Sequence, residues 1–301
     1  MHNGVAARYS NKRGPGVPEH RATERPGMVP AVRRTAGTMF ASLHGELTAH
    51  AWGDPDFEYD VYSLFHQRSL AMGWLDDRSA GGGAEDRMRR APGLWAMNDA
   101  GCNARSIASG ADLVSWFQVE TSAVADDRPL PVRPFLQCAE SATTRLGTLR
   151  LAAVQLLLPV QGLDVAARPA YAPLPSMLTA DWFAGRDPRS RTPVEVNINS
   201  GRYTSVPDIA ERLTDHLRHL DQPVFSHSSH DIVGQDAVLA PRFDDSFWCG
   251  PPLHGMVLRG ELTEWSCDAI GWLAEVIADT AASLSVHTPL LFTVTRTHSA
   301  G

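Results

Sequence analysis

The sequence predicts an α+β protein of two tandem ferredoxin-like halves, each β-α-β-β-α-β, behind a disordered N-terminal tail. Three observations lead there. The hydrophobic period switches between two and about 3.6 residues in that element order, most cleanly after residue 193. A proline-rich linker, 161–192, separates a segment at 39–160 from one at 193–301. Within both segments the strands alternate apolar and polar residues, as a sheet covered by helices on one side does.

Residues 1–38 are rich in Gly, Pro and Arg, lack periodicity and read as disordered. They hold seven basic and two acidic residues, so with −7 for the whole chain the remainder carries about −12. Phe40–Thr48 alternates like a strand, with Ala41, Leu43 and Leu47 on one face. Asp54-Pro55 reads as the start of a helix running through Val61, Phe65 and Leu70 toward Trp74. Gly81-Gly82-Gly83 marks 78–92 as a loop. Strands follow at Leu94–Met97 and Leu113–Thr121, then a short helix at Pro134–Leu146. Thr148–Val160 is apolar on both faces, as a central strand is.

In the second segment Val194, Val196 and Ile198 alternate with Glu195, Asn197 and Asn199, a half-buried strand. Ser205 with Asp208 resembles a capping box, and the helix after it carries Val206, Ile209, Leu213 and Leu217 on one stripe. Strands at Val224–Val233 and His254–Leu262, a helix from Trp265 to Leu284 and a strand at Leu290–Thr297 complete the order. Leu43-His-Gly-Glu-Leu-Thr48 echoes Leu258-Arg-Gly-Glu-Leu-Thr263, too short a match to establish duplication alone.

Composition excludes several function classes. The acidic body is the wrong sign for nucleic acid, which needs a basic stripe. No apolar run reaches the length of a membrane span; the longest, Leu151–Val160, is interrupted by Gln155. The N-terminus has no secretory apolar core, and the cysteines (Cys102, Cys138, Cys249, Cys267) form no C-x-x-C pair, so a cytoplasmic protein with reduced thiols is expected. A single lysine against 26 arginines reflects a GC-rich genome, because the arginines are scattered. No dinucleotide, phosphate-loop or nucleophile-elbow motif occurs, and no cofactor is expected.

Chemistry is expected on the open sheet face. Period-two phase places Ser42, His44, Glu46, Trp116, Gln118, Glu120, Arg150 and Val154 there in the first half. In the second half it places Glu195, Asn197, Asn199, Arg259, Glu261, Thr293 and Thr295 there. If the two open faces pack sheet to sheet, as in an α+β barrel, these side chains line a cavity. His44 with Glu46, together with Glu195 and Arg259, are then the candidate acid–base groups. Asn197, Asn199, Gln118, Glu261 and Arg150 would bind the substrate.

The histidines His216, His219, His227 and His230 form the densest cluster, and a metal ion is the alternative cofactor. Helical phase turns His219 to the polar face of its helix, and strand phase sets His227 and His230 on opposite faces. Convergence would require a turn at Ser226–Asp231.

Three functions follow from these patterns. The first is a small-molecule enzyme using acid–base chemistry (cyclisation, isomerisation or hydrolysis) between two sheets. The second is a non-catalytic, immunity-type protein that binds a basic protein partner. The third is a metal-dependent enzyme built on the histidine cluster.

Overall fold

The computed structural model describes residues 36–51, 60–76, 93–103, 112–124, 128–169, 182–183, 185–187, 190–234, 239 and 242–297. The tail to residue 35, the helix start at Asp54-Pro55, the loop at 78–92 and much of the 161–192 linker lie outside them. The strands are β1 (Gly37–Ala49), β2 (Trp95–Cys102), β3 (Leu113–Thr121), β4 (Gly147–Leu158), β5 (Thr192–Asn199), β6 (Phe225–Val233), β7 (Gly255–Leu262) and β8 (Leu290–Arg296). The helices are α1 (Val61–Ala71), α2 (Val132–Leu146), α3 (Ser205–His219) and α4 (Cys267–Ser283).

All eight strands join one antiparallel sheet in the order β2-β3-β1-β4-β8-β5-β7-β6. This overturns the expected packing of two sheets face to face. Tandem β-α-β units are present, but they meet edge to edge through β4 and β8, and the sheet is open, not closed into a barrel. The reason lies in the seam strands. Leu156-Leu157-Leu158 and Leu290-Leu291-Phe292 are buried on both faces. Pairing them satisfies two rows of backbone donors and acceptors that separate halves would each expose at an edge.

One sheet face carries the helices and the main core. Met39, Leu43, Phe117, Val154, Leu156, Val196, Leu258 and Phe292 face buried residues of all four helices. α1 begins at Asp60, whose carboxylate accepts from Ser63 N at 2.7 Å. α3 begins at Thr204 rather than Ser205. Its hydroxyl donates to Asp208 at 2.8 Å, and the Ser200 hydroxyl accepts from Val206 N at 3.2 Å. The expected capping box of Ser205 with Asp208 does not form; Thr204 is the N-cap, and the hydroxyl that meets a first-turn N–H comes from Ser200, just after β5.

α2 and α4 pack against each other on this side, and α4 lies against both seam strands. Gly271 permits their approach: a Cβ there would sit 3.0 Å from Arg133 Cα. Beside it the Glu275 carboxylate accepts from Arg133 N at 2.9 Å and Arg133 Nε at 2.8 Å. Within the linker region Leu163 and Phe183 enter the main core, and Arg168 forks onto Asp279 of α4.

Leu239 and residues 242–251, between β6 and β7, cover the second face at its centre. The Leu239 carbonyl accepts from Gln155 Nε2 on β4. Phe243 lies edge-on to Phe40 of β1, with centroids 4.6 Å apart. Trp248 packs with Phe40, Leu157 and Leu291 in a second apolar cluster. The Cys249 carbonyl accepts from Arg202 N at 2.7 Å, and only glycine fits beside it: Gly201 has φ +68°, and a Cβ would meet that oxygen at 1.9 Å.

Candidate functional site

β-Register places one residue from each of the four central strands in a single row: Ser42 on β1, Gln155 on β4, Thr293 on β8 and Asn197 on β5. These polar side chains point to the second face, where Gln155 meets the Leu239 carbonyl. All are fully or nearly fully buried, Gln155 at 0 %, Thr293 and Ser42 at 1 % and Asn197 at 3 % exposure. The next row toward the apolar cluster is Phe40, Leu157, Leu291 and Asn199. The next row the other way is His44, Ala153, Thr295 and Glu195. Polar and apolar walls therefore meet along one band that spans the seam.

Within this band His44 Nε2 and Ser42 Oγ are 3.0 Å apart, and both side chains are buried. Gln155 Nε2 lies 3.4 Å from Thr293 Oγ1. Asn199 Oδ1 accepts from Gly201 N at 2.7 Å. Four buried polar atoms in the band have no hydrogen-bond partner among the described residues: Gln155 Oε1, Asn197 Oδ1, Asn199 Nδ2 and Trp248 Nε1. An unmet buried amide or indole group costs on the order of 1–3 kcal/mol.

The other predicted site residues lie outside the band's buried centre. Glu46 and Arg150 pair with each other at 3.3 Å and are 58 % and 78 % exposed. Glu195 meets Arg259 at 3.2 Å, and Arg259 also meets Asp231, so this trio forms a charge ladder over β5, β7 and β6. Arg259 is held above its ordinary pKa, first by its bond to Asp231. Glu261 is exposed, and Gln118 is half-buried opposite Phe40. Because the ladder is solvated, Glu195→Ala is expected to change stability by only about 0–1 kcal/mol, and less at high salt. Urea unfolding at low and high ionic strength measures this.

Phase errors explain two departures from expectation. Val154, placed on the open face by alternation through Arg150, lies in the main core. β4 takes an extra residue at Ala152, where the β1 partner steps from Ala153 to Leu151, and the alternation reverses. Leu149 and Leu151 accordingly pack against the helices while Gln155, not Val154, faces the band.

β6 contains a comparable bulge at Ser228, between His227 and Ser229. It brings His227 and His230 to the same side, with ring centroids 6.0 Å apart, against the expectation of opposite faces. His230 Nε2 lies 3.4 Å from Glu211 of α3. Burial, then the charges of Arg218 and His230, holds His227 below its usual pKa. His216 and His219 are exposed, and His219 Nδ1 turns back to the Asp215 carbonyl at 2.6 Å. The four imidazoles do not converge. No group of three or more His, Cys, Asp or Glu suited to a metal occurs among the described residues. No described helix is long and apolar enough to cross a membrane.

Period-two phase puts His44, Asn197 and Asn199 on this face but does not single out Gln155 or Trp248. The interruption of the apolar run Leu151–Val160 by Gln155 was the available signal: an amide inside a central strand needs a partner. No protein-family model, no curated protein and no solved structure matches the chain.

Proposed function

We propose that the protein binds a small molecule in the polar band around Ser42, Gln155, Thr293 and Asn197 and performs acid–base chemistry on it through His44. The observation that carries this reading is the set of four orphaned, buried polar atoms on Gln155, Asn197, Asn199 and Trp248. Few polar groups against an apolar wall are what orient a ligand in a concave site. His44 is the one titratable side chain in the Ser42–Asn197 row or the two rows beside it that is nearly fully buried. Imidazole exchanges a proton near neutral pH, and the Ser42 hydroxyl at 3.0 Å can orient it or relay the proton. Cyclisation, isomerisation and hydrolysis all fit a single histidine acid–base group. The Glu195–Arg259–Asp231 ladder is satisfied within itself and acts as a solvated support beside the band.

A thermal-shift screen of metabolite-sized compounds on the full chain tests this, with Asn197→Leu and His44→Ala run in parallel. The expected hit raises the melting temperature of the parent and loses that effect in Asn197→Leu. His44→Ala is expected to retain binding and to lose turnover by about 10²-fold or more. Hits whose effects persist in both folded variants place the ligand elsewhere and sink the proposal.

A further inference from the structure

We propose that the contact between α3 and the edge strand β6 is an acid-sensitive latch, closed while the His227 ring is neutral and released when that ring takes up a proton. β6 is the last strand of the sheet, paired with β7 on one side, and α3 packs against it. The bulge at Ser228 builds the latch. His227 stands opposite Gly260, and His230 opposite Leu258 of the main core, so both rings point to the helix side. On an unbroken strand, residues three apart would face opposite ways.

α3 brings charges to these rings. Glu211 and Arg218 are seven residues apart and share one helix face. Glu211 Oε1 lies 3.4 Å from His230 Nε2, and the charge of Arg218 acts on His227. Arg218 also meets Asp215 at 3.1 Å. β7 offers Gly260 and Leu258 to this side, while its Arg259 pairs with Glu195 and Asp231 on the opposite face.

The two imidazoles are not equivalent. A proton on His230 gains the Glu211 carboxylate. A proton on His227 gains no such partner. Both of its ring nitrogens are buried, and neither has a hydrogen-bond partner among the described residues. Its charged neighbours would be Arg218 and a protonated His230, whose ring centroid is 6.0 Å away. Burial first, then Arg218 and His230, lowers the His227 pKa from 6.5; the Ser229 backbone, the smallest influence, works the other way. Release returns the ring to water, where it titrates near 6.5. As pH falls below that value, the released form binds a proton that the closed form lacks, so acid favours release. The latch is complete above about 6.5 and weakens as pH falls toward the lower value of the closed form.

Hydrogen exchange of the full chain at about pH 7.5 and about pH 5, corrected for the intrinsic amide rate at each, tests this. Peptides from 205–219 and 225–233 are expected to lose protection severalfold at the lower pH, while those from β1 and β4 do not. Glu275, whose carboxyl is raised to about 7, favours the folded chain in acid and so works against such a loss. His227→Leu is expected to leave α3 and β6 equally protected at both pH values. Arg218→Gln, at a half-exposed position, is expected to shrink the acid response, because it removes a charge that opposes the proton. The His227→Leu result decides; if that variant does not fold, Arg218→Gln decides in its place. An unchanged acid response in the deciding variant, or no local loss in the parent, overturns the latch.

Discussion

Arg133→Ala is expected to destabilise the protein by about 3–5 kcal/mol near pH 8 and by much less near pH 5. Arg133 holds the Glu275 carboxylate through Nε at 2.8 Å, and Glu275 is almost wholly buried. Burial pushes the Glu275 carboxyl up to about 7, and Arg133 with the local backbone N–H groups limits the rise. The unfolded chain releases this proton near the ordinary value of 4.5. Between roughly 4.5 and 7 the folded protein therefore keeps a proton that the unfolded chain has lost. Folding stability must fall as pH rises across that window, with a slope of up to about 1.4 kcal/mol per pH unit from this group. Removing Arg133 raises the carboxyl further and strands an unpaired charge at high pH. At low pH the protonated acid needs no counter-ion. Chemical denaturation of the parent, Arg133→Ala and Glu275→Gln over pH 4–9 reads out all three consequences. Glu275→Gln should abolish the slope; a slope that persists would assign it to another group.

Much of this arrangement was legible in the chain before any coordinates. β5 and α3 follow from periodicity because apolar residues recur along one buried face, as Val194, Val196 and Ile198 show for β5. The double-sided apolar run in β4 marked a central strand, yet it did not say which strand would lie beside it. Its partner β8 is more than 130 residues away, as the pair Gln155 and Thr293 at a separation of 138 illustrates. Local pattern carries no information about such pairing. Alternation also assumes an unbroken ladder. One extra residue at Ala152 and another at Ser228 reversed the faces beyond them. That is why Gln155 escaped notice and why His227 and His230 were wrongly separated. The crossing over the second face was illegible for a different reason. Phe243 and Trp248 are recognisable as anchors, but not as anchors to Phe40, some two hundred residues earlier.

Phe292→Ala should lower stability by about 3–5 kcal/mol, in one transition and not two. Phe292 is fully buried on β8, with Leu156 of β4 beside it on one side and Ile198 of β5 on the other. Truncation leaves a cavity at the seam that the flanking strands, held in register, cannot collapse to fill. The helices span the same junction: Arg133 and Gln137 of α2 reach Glu275 and Asp268 of α4. Loss of packing at the seam is therefore felt by both halves together. Calorimetry with far-UV circular dichroism tests this. Two resolved steps, only one of them shifted, would show that the halves fold independently and that the seam contributes little. The outcome also bears on function. Ser42 and Gln155 enter the band from the first half, Thr293 and Asn197 from the second. Gln155 and Asn197 share one row only while β4, β8 and β5 stay paired, so under the proposed function a variant that loosens the seam should lose ligand binding before it loses secondary structure.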